Sequence, residues 1–213
     1  MNIENNNDNT LCIMTLGISS VGKTSFIFRF TENSYKNSYF ATVGIDFKVK
    51  DIELRNIKYK LIFYDTLGQE KYKSIAPNLI KKANGIILMY DITNQSSFDS
   101  LPEIIQNIKE ERGKDFPMVL VGNKADLEED REIKKEQGED LAFKNAMGFF
   151  EVSNKEGTNI EEAGLAFVNK ILEKRKEESI VNESDNNTRL TESTYNSKYS
   201  NIDNDQHNKH NCC

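Results

Sequence analysis

The chain has 213 residues, a net charge of −6 and 37% hydrophobic content, which suits one well-buried domain and hardly two. The acidic balance argues against nucleic acid as the main partner, because neutralising phosphates needs a basic face. No window approaches the roughly 18 apolar residues of a spanning helix, and the polar start MNIENNNDNT lacks the apolar core of a signal peptide. A cytosolic protein is therefore expected.

Read in order, LCIMTLG (11–17) is a short apolar run ending in glycine, a buried strand. KTSFIFRFTE (23–32) repeats its apolar positions about every three to four residues, as a helix does. IDFKVKDIEL (45–54) and YKLIFYD (59–65) are β-rich and joined by RNIK, which predicts a hairpin. GIILMYDI (85–92) and FPMVLVGNK (116–124) are continuous apolar runs, the mark of strands buried on both faces. Helical periods cover 96–112, 131–146 and 159–176, and GFFEVSN (148–154) reads as a strand. The last helix sets Ile160, Leu165, Phe167, Val168, Ile171 and Leu172 on or near one face. Alternating strands and helices mean an α/β fold with a mostly parallel sheet, whose ligand sits outside the carboxyl ends of the strands. From 177 onward the composition turns to Asn, Ser and Asp, too poor in apolar side chains to offset ordering entropy. The expected organisation is a disordered 1–9, one domain over 10–176 and a disordered tail over 177–213.

GISSVGKT, Gly17–Thr24, fits the G-x-x-x-x-G-K-[ST] pattern between a strand and a helix. Its glycines let the backbone wrap a phosphate, Lys23 reaches the β- and γ-phosphates, Thr24 offers a hydroxyl to Mg²⁺, and the following helix adds its positive end. In DTLGQE (65–70), Asp65 ends a strand and can hold the water shell of Mg²⁺, which takes few protein ligands. Gly68 can give its N–H to a terminal phosphate and Gln69 can orient a water; alone, such a stretch reads as a turn. NKAD (123–126) places Asp126 where it can accept from guanine N1–H and the 2-amino group, donors that adenine lacks. Asn-Lys-x-Asp is otherwise common in surface loops, and SNK (153–155), which can close a base pocket with backbone N–H groups, says nothing by itself. Thr42 lies in the loop before the second strand, where it either favours the strand or caps Mg²⁺ and the γ-phosphate. Tyr35 is either a packed aromatic or an edge against the base.

With the motifs in this order, the sequence resembles a small GTPase of the Ras superfamily and, within it, the Rab family. VGIDFK (43–48), KLIFYDTLGQE (60–70), ILMYDITN (87–94), VGNKADL (121–127) and the terminal Cys-Cys carry the resemblance, which covers about 11–175. SSVGKTSFIFRF and TVGIDFKVK look most like the Rabs of regulated secretion. The resemblance implies a P-loop small G domain: a six-stranded, mostly parallel sheet with one antiparallel strand and about five flanking helices. It also implies a membrane switch that hydrolyses GTP to GDP in vesicle trafficking. Phosphates then lie along Gly17, Ser19, Ser20, Val21, Gly22, Lys23, Thr24 and Ser25, and Gly68 meets the γ-phosphate. Mg²⁺ is bound by Thr24, by Thr42 in the GTP state, and by Asp65 through water, while Gln69 positions the hydrolytic water. Asn123, Lys124 and Asp126 hold guanine, with Ser153, Asn154, Lys155 and Tyr35 completing the base pocket. GTP orders the loops 36–45 and 66–80 and hydrolysis releases them. No arginine in these motifs neutralises the transition state, so turnover is expected to be slow until an activating protein supplies one.

The implied partners are an exchange factor, an activating protein, a GDP-dissociation inhibitor, an escort-type carrier, and effectors docking on about 36–48 and 66–80; the protein itself is expected to be a monomer. Cys212 and Cys213 offer two prenylation sites. Stable anchoring takes two signals, the tail has few basic residues, and the ending is not C-a-a-X. The expected location is the cytoplasmic face of vesicle or plasma membranes, cycling with the cytosol.

The sequence also departs from the family. Tyr64 and Leu67 stand where Trp and Ala are usual, Asn154 where Ala is usual, and Leu79 and Ile80 replace an aromatic pair. Leu67, beside Gly68, leaves open a second reading as a docking protein impaired in hydrolysis. A P-loop kinase or ATPase is disfavoured by NKAD.

Overall fold

The structure is a computed structural model and describes residues 9–35, 46–65 and 79–199. Six strands form one sheet: β1 (Thr10–Leu16), β2 (Asp46–Leu54), β3 (Ile57–Asp65), β4 (Gly85–Asp91), β5 (Met118–Asn123) and β6 (Gly148–Val152). Their order across the sheet is β2-β3-β1-β4-β5-β6. Only β2 runs antiparallel, paired with β3; the other neighbours are parallel. Besides a helical turn at 79–82, the described helices are α1 (Lys23–Glu32), α2 (Gln95–Asp99), α3 (Leu101–Arg112), α4 (Lys135–Lys144) and α5 (Ile160–Tyr199).

The topology puts the site at β1. After β1 the chain builds β2 and β3 on one side, then crosses to build β4, β5 and β6 on the other. That reversal opens a crevice at the carboxyl ends of the central strands. Register aligns those ends: Leu16 pairs with Leu88, Asp91 with Asn123, and Asn123 with Val152. β4 and β5 are buried along their whole length, as their unbroken apolar sequences require.

Both sheet faces are covered. One core holds Met14, Leu16, Leu88, Tyr90, Ile104 and Ile108 among its members. On the other face Phe26 stacks on Phe30, whose ring meets the edge of Phe63 at 5.5 Å. α5 lies close to α1 because position 164 is glycine: a Cβ there would stand 2.2 Å from the Phe30 ring.

Several boundaries differ from the sequence reading, each for a local reason. The β2–β3 connection is tighter than RNIK. Only Arg55 and Asn56 turn, both with positive φ (53° and 63°), as a two-residue hairpin matching strand twist needs. The helix read over 96–112 is two helices that break at Ser100. Pro102 has no N–H to give to Phe98, and proline is tolerated only in a first turn. The helix read over 131–146 starts at Lys135. Glu128–Asp130 form a 3-10 turn and Arg131 is extended, its guanidinium bound to Glu128 and Glu151.

By compactness the chain divides into Met1–Ile171 and Leu172–Cys213. α5 continues to Tyr199, so 177–199, read as disordered from composition, is helical here. No glycine or proline follows Gly164 to stop the helix, and EKRKEE is rich in strong helix formers. Within the second unit Lys174 pairs with Glu177 at 3.7 Å.

Candidate functional site: a phosphate loop joined to a base pocket

β1 ends at Leu16, and the chain turns through Gly17–Gly22 into α1. At Gly17, φ is 147°, and a Cβ would fall 2.2 Å from the Met89 carbonyl oxygen on β4. Only glycine lets the loop rest on the end of that strand. Gly22 has φ 99° and is the N-cap of α1; no side chain caps the helix start and no acid stands in its first turn. The leading N–H groups and the positive helix end therefore face the loop without a built-in anion. Lys23 is buried, its ammonium donating to Gly17 O at 3.0 Å and Ile18 O at 2.8 Å. The cation thus arches over the loop that would hold the phosphates.

Asp65, at the end of β3, is buried. Thr24 Oγ1 donates to Asp65 Oδ2 at 2.6 Å. Two hard oxygen donors meet beside the phosphate loop, which fits Mg²⁺, an ion that takes one or two protein oxygens and keeps water and phosphate ligands. Among the described residues no group of three or more His, Cys, Asp or Glu side chains converges on a metal position.

On the base side, two asparagines hold the phosphate loop. Asn123, at the end of β5, donates from Nδ2 to Val21 O at 2.8 Å. Asn154 donates from Nδ2 to Gly22 O at 2.9 Å, and its backbone N–H donates to Asn123 Oδ1 at 3.2 Å. Both are almost fully buried; each amide nitrogen finds a carbonyl, as burial demands, while Asn154 Oδ1 has no partner among the described residues. Ser153 Oγ donates to Asp126 Oδ1 at 2.6 Å and itself accepts from Glu156 N at 3.0 Å. Lys155 Nζ lies 3.8 Å from Asp126 Oδ2. Asp126 is thus held through one oxygen by a hydroxyl, in an orientation that leaves acceptor capacity for a planar donor pair. Lys124, with φ 69°, pairs with Asp91 at the end of β4. Tyr35 is partly exposed, with the Arg29 guanidinium 5.8 Å from its ring centroid.

The structure brings together Gly17–Thr24, Asp65, Asn123–Asp126 and Ser153–Lys155. Thr42, Leu67, Gly68, Gln69, Cys212 and Cys213 lie outside the described residues. Sequence reasoning missed Asp91 and Arg29. Asp91 carries a usable signal, an acid at the carboxyl end of a buried strand. Arg29 carries none, because Asn154, whose carbonyl oxygen it binds, is 125 positions away. Behind the site, Tyr90 is fully buried and desolvation pushes its hydroxyl well above the usual range.

Comparison with known proteins shows the family. The Ras family sequence model matches residues 12–173. The chain is 41% identical over 162 residues to Ras-related protein Rab-8B of Pongo abelii, covering 76% of this chain and 78% of that one. It is equally identical over 162 residues to Ras-related protein Rab-10 of Diplobatis ommata, covering 76% and 81%. To Ras-related protein Rab-13 of Canis lupus familiaris it is 41% identical over 165 residues, 78% and 81% of the two chains. These likenesses do not favour a docking protein impaired in hydrolysis. The chain belongs to the Ras family of small GTPases, on its Rab branch: it hydrolyses GTP to GDP and serves as a switch in vesicle trafficking.

Proposed function

We propose that the carboxyl edge of the sheet binds GTP and GDP with the residue roles set out above, and that the switch acts in exocytic transport. The observation that carries the reading is the pair of hydrogen bonds from Asn123 and Asn154 to Val21 O and Gly22 O. They join a loop suited to phosphates to one suited to a base. Gly17–Ser25 wrap the phosphates with N–H groups, and Lys23 offsets their charge. Thr24, Thr42 in the GTP state and Asp65 through water would hold Mg²⁺, which when bound neutralises charge on the β- and γ-phosphates. Gln69 orients a water in line with the γ-phosphorus. The new P–O bond forms to that water as the bond to the β,γ-bridging oxygen breaks, leaving GDP and inorganic phosphate. Asp126 reads the guanine donors, Ser153–Lys155 close the base pocket, and Tyr35 and Lys124 line the ring.

Loss of the γ-phosphate contacts at Thr42 and Gly68 changes the surfaces 36–48 and 66–80, which is how effectors distinguish the two states. An exchange factor, an activating protein, a GDP-dissociation inhibitor and an escort-type carrier complete the cycle. The domain 10–176 reaches the membrane through 177–213, with lipids on Cys212 and Cys213. Among the described residues no helix is long and apolar enough to cross a membrane, and two prenyl chains suffice for stable attachment.

Competition binding tests the pocket: GTP should displace labelled GDP at concentrations where ATP, about 10⁴-fold weaker, does not. Gln69→Ala should slow single-turnover hydrolysis by about 100-fold or less while leaving GDP affinity unchanged. Equal displacement by ATP would remove the guanine assignment, and unchanged hydrolysis the role of Gln69. Mass spectrometry of protein from a prenylating host tests the lipids, with two prenyl groups expected per chain.

A further inference from the structure

Arg29 stands in the last turn of α1, the helix that begins at the phosphate loop. Its Nε donates to Asn154 O at 3.0 Å, and its Nη2 donates to Lys155 O. Nη1 donates to Asn33 O at 3.4 Å, and Cζ lies 5.8 Å from the centroid of the Tyr35 ring. Among the described residues no carboxylate pairs with it at salt-bridge distance. Its charge is used on backbone carbonyls and one aromatic face. The turn it grips is also held at the start of α1, where Asn154 Nδ2 donates to Gly22 O. The same turn orients Asp126 through Ser153 Oγ at 2.6 Å.

We propose that Arg29 is a positioning residue for guanine-nucleotide retention and discrimination. It fastens the 153–155 turn and Tyr35 to α1, and so keeps the Asp126 carboxylate in register with the phosphate grip. The inference rests on the base-pocket reading given above and adds to it a residue outside every nucleotide motif.

The chemistry requires arginine. A planar guanidinium can donate to two successive carbonyls while presenting a face to a ring; a lysine ammonium is a single point charge and cannot do both. Donation from a charged group strengthens each bond. The carbonyls of Asn154 and Lys155 belong to the turn that bears the pocket. Freeing them therefore lets Ser153 and Asp126 shift together, because a hydrogen bond links them. Of these contacts, only the bond from Asn154 Nδ2 to Gly22 O reaches the phosphate loop at Gly17–Thr24. Base recognition and phosphate binding should thus respond differently to loss of Arg29.

The test uses the full chain and three variants, Arg29→Ala, Arg29→Lys and Asp126→Ala. Two readouts are taken: the rate of GDP release, and the preference for GDP over inosine diphosphate, which lacks the 2-amino group. Arg29→Ala is expected to release GDP about 10-fold faster, the scale of one lost charge-assisted hydrogen bond, and to lose at least half of its preference for GDP. Arg29→Lys keeps the stem packing and should fold like the unaltered protein, yet recover neither property fully. A lowered melting temperature with an unchanged preference would mean a merely structural role and overturn the proposal. So would full recovery by lysine, or release at the unaltered rate. Asp126→Ala separates the two levels. If it leaves the preference intact, the pocket reading falls and this inference with it. If it abolishes the preference while Arg29→Ala does not change it, only the role of Arg29 falls.

Discussion

Thr24 and Asp65 are 41 positions apart in sequence and share a 2.6 Å hydrogen bond from hydroxyl to carboxylate. The contact joins the start of α1 to the end of β3 at the point where a Mg²⁺ ion would meet the phosphates. In Asp65→Ala the ratio of GDP release rates without and with Mg²⁺ should fall toward unity. Stopped-flow release in EDTA and in excess Mg²⁺ measures it, and a ratio equal to that of the unaltered protein would show that the carboxylate does not hold the ion.

Gly17 is constrained by β4. An alanine Cβ would sit 2.2 Å from Met89 O at a φ of 147°, so backbone must move against a fully buried strand. Gly17→Ala should cost on the order of 3 kcal/mol, a fall in melting temperature of roughly 6–12 °C for a chain of this size, and should weaken nucleotide binding. Thermal denaturation with and without GDP checks both.

Arg112 closes the end of the short helical turn at 79–82. Its Nη1 donates to Ile80 O and Lys81 O at 2.7 Å and to Ala83 O at 2.8 Å, with Cζ 4.3 Å from the Phe116 ring centroid. That nitrogen has two hydrogens, so three carbonyls share them. Arg112→Ala leaves these acceptors without their cation and should destabilise the protein by about 1–3 kcal/mol. Amide exchange should quicken at 79–84 ahead of the rest of the chain.

Glu128 gives a pH signature. Hydrogen bonds from Arg131 hold its carboxyl below the ordinary value of 4.5. A depressed carboxylate stabilises the fold above its unfolded value and loses that contribution as pH falls through its folded value. The stability difference between the unaltered protein and Glu128→Gln should therefore be steady above about pH 5 and shrink below pH 4.5. Denaturant titrations at stepped pH measure it; a difference that does not shrink as the pH is lowered would exclude the linkage.

Leu67 adjoins the glycine assigned to the γ-phosphate. If its bulk crowds that position, Leu67→Ala should hydrolyse GTP faster in single turnover, with and without an activating protein, by about 10-fold or less. Equal rates would remove the idea.

The motifs were legible because they are contiguous. Gly17–Thr24 and Asn123–Asp126 each place several chemical groups within a few residues, and buried strands such as 85–91 announce themselves by unbroken apolar runs. Boundaries were less legible, because they depend on one competing contact each. Pro102 splits a helical period that otherwise runs through it, and Arg131 is drawn out of a helix by Glu151 on β6.

By itself, then, the sequence determined the fold class, the ordering of phosphate and base motifs, and the family resemblance, since periodicity and short motifs are local properties. Only the tertiary structure decided what Arg29 and the side chain of Asn154 do. Their partners are 125 and 132 positions away, and no local pattern encodes such a meeting. Strand order brings the ends of β1, β5 and β6 to one edge, and burial there obliges each amide to find a carbonyl. An asparagine that in sequence is only a departure from the family's usual alanine thereby becomes a bond between the base turn and the phosphate loop.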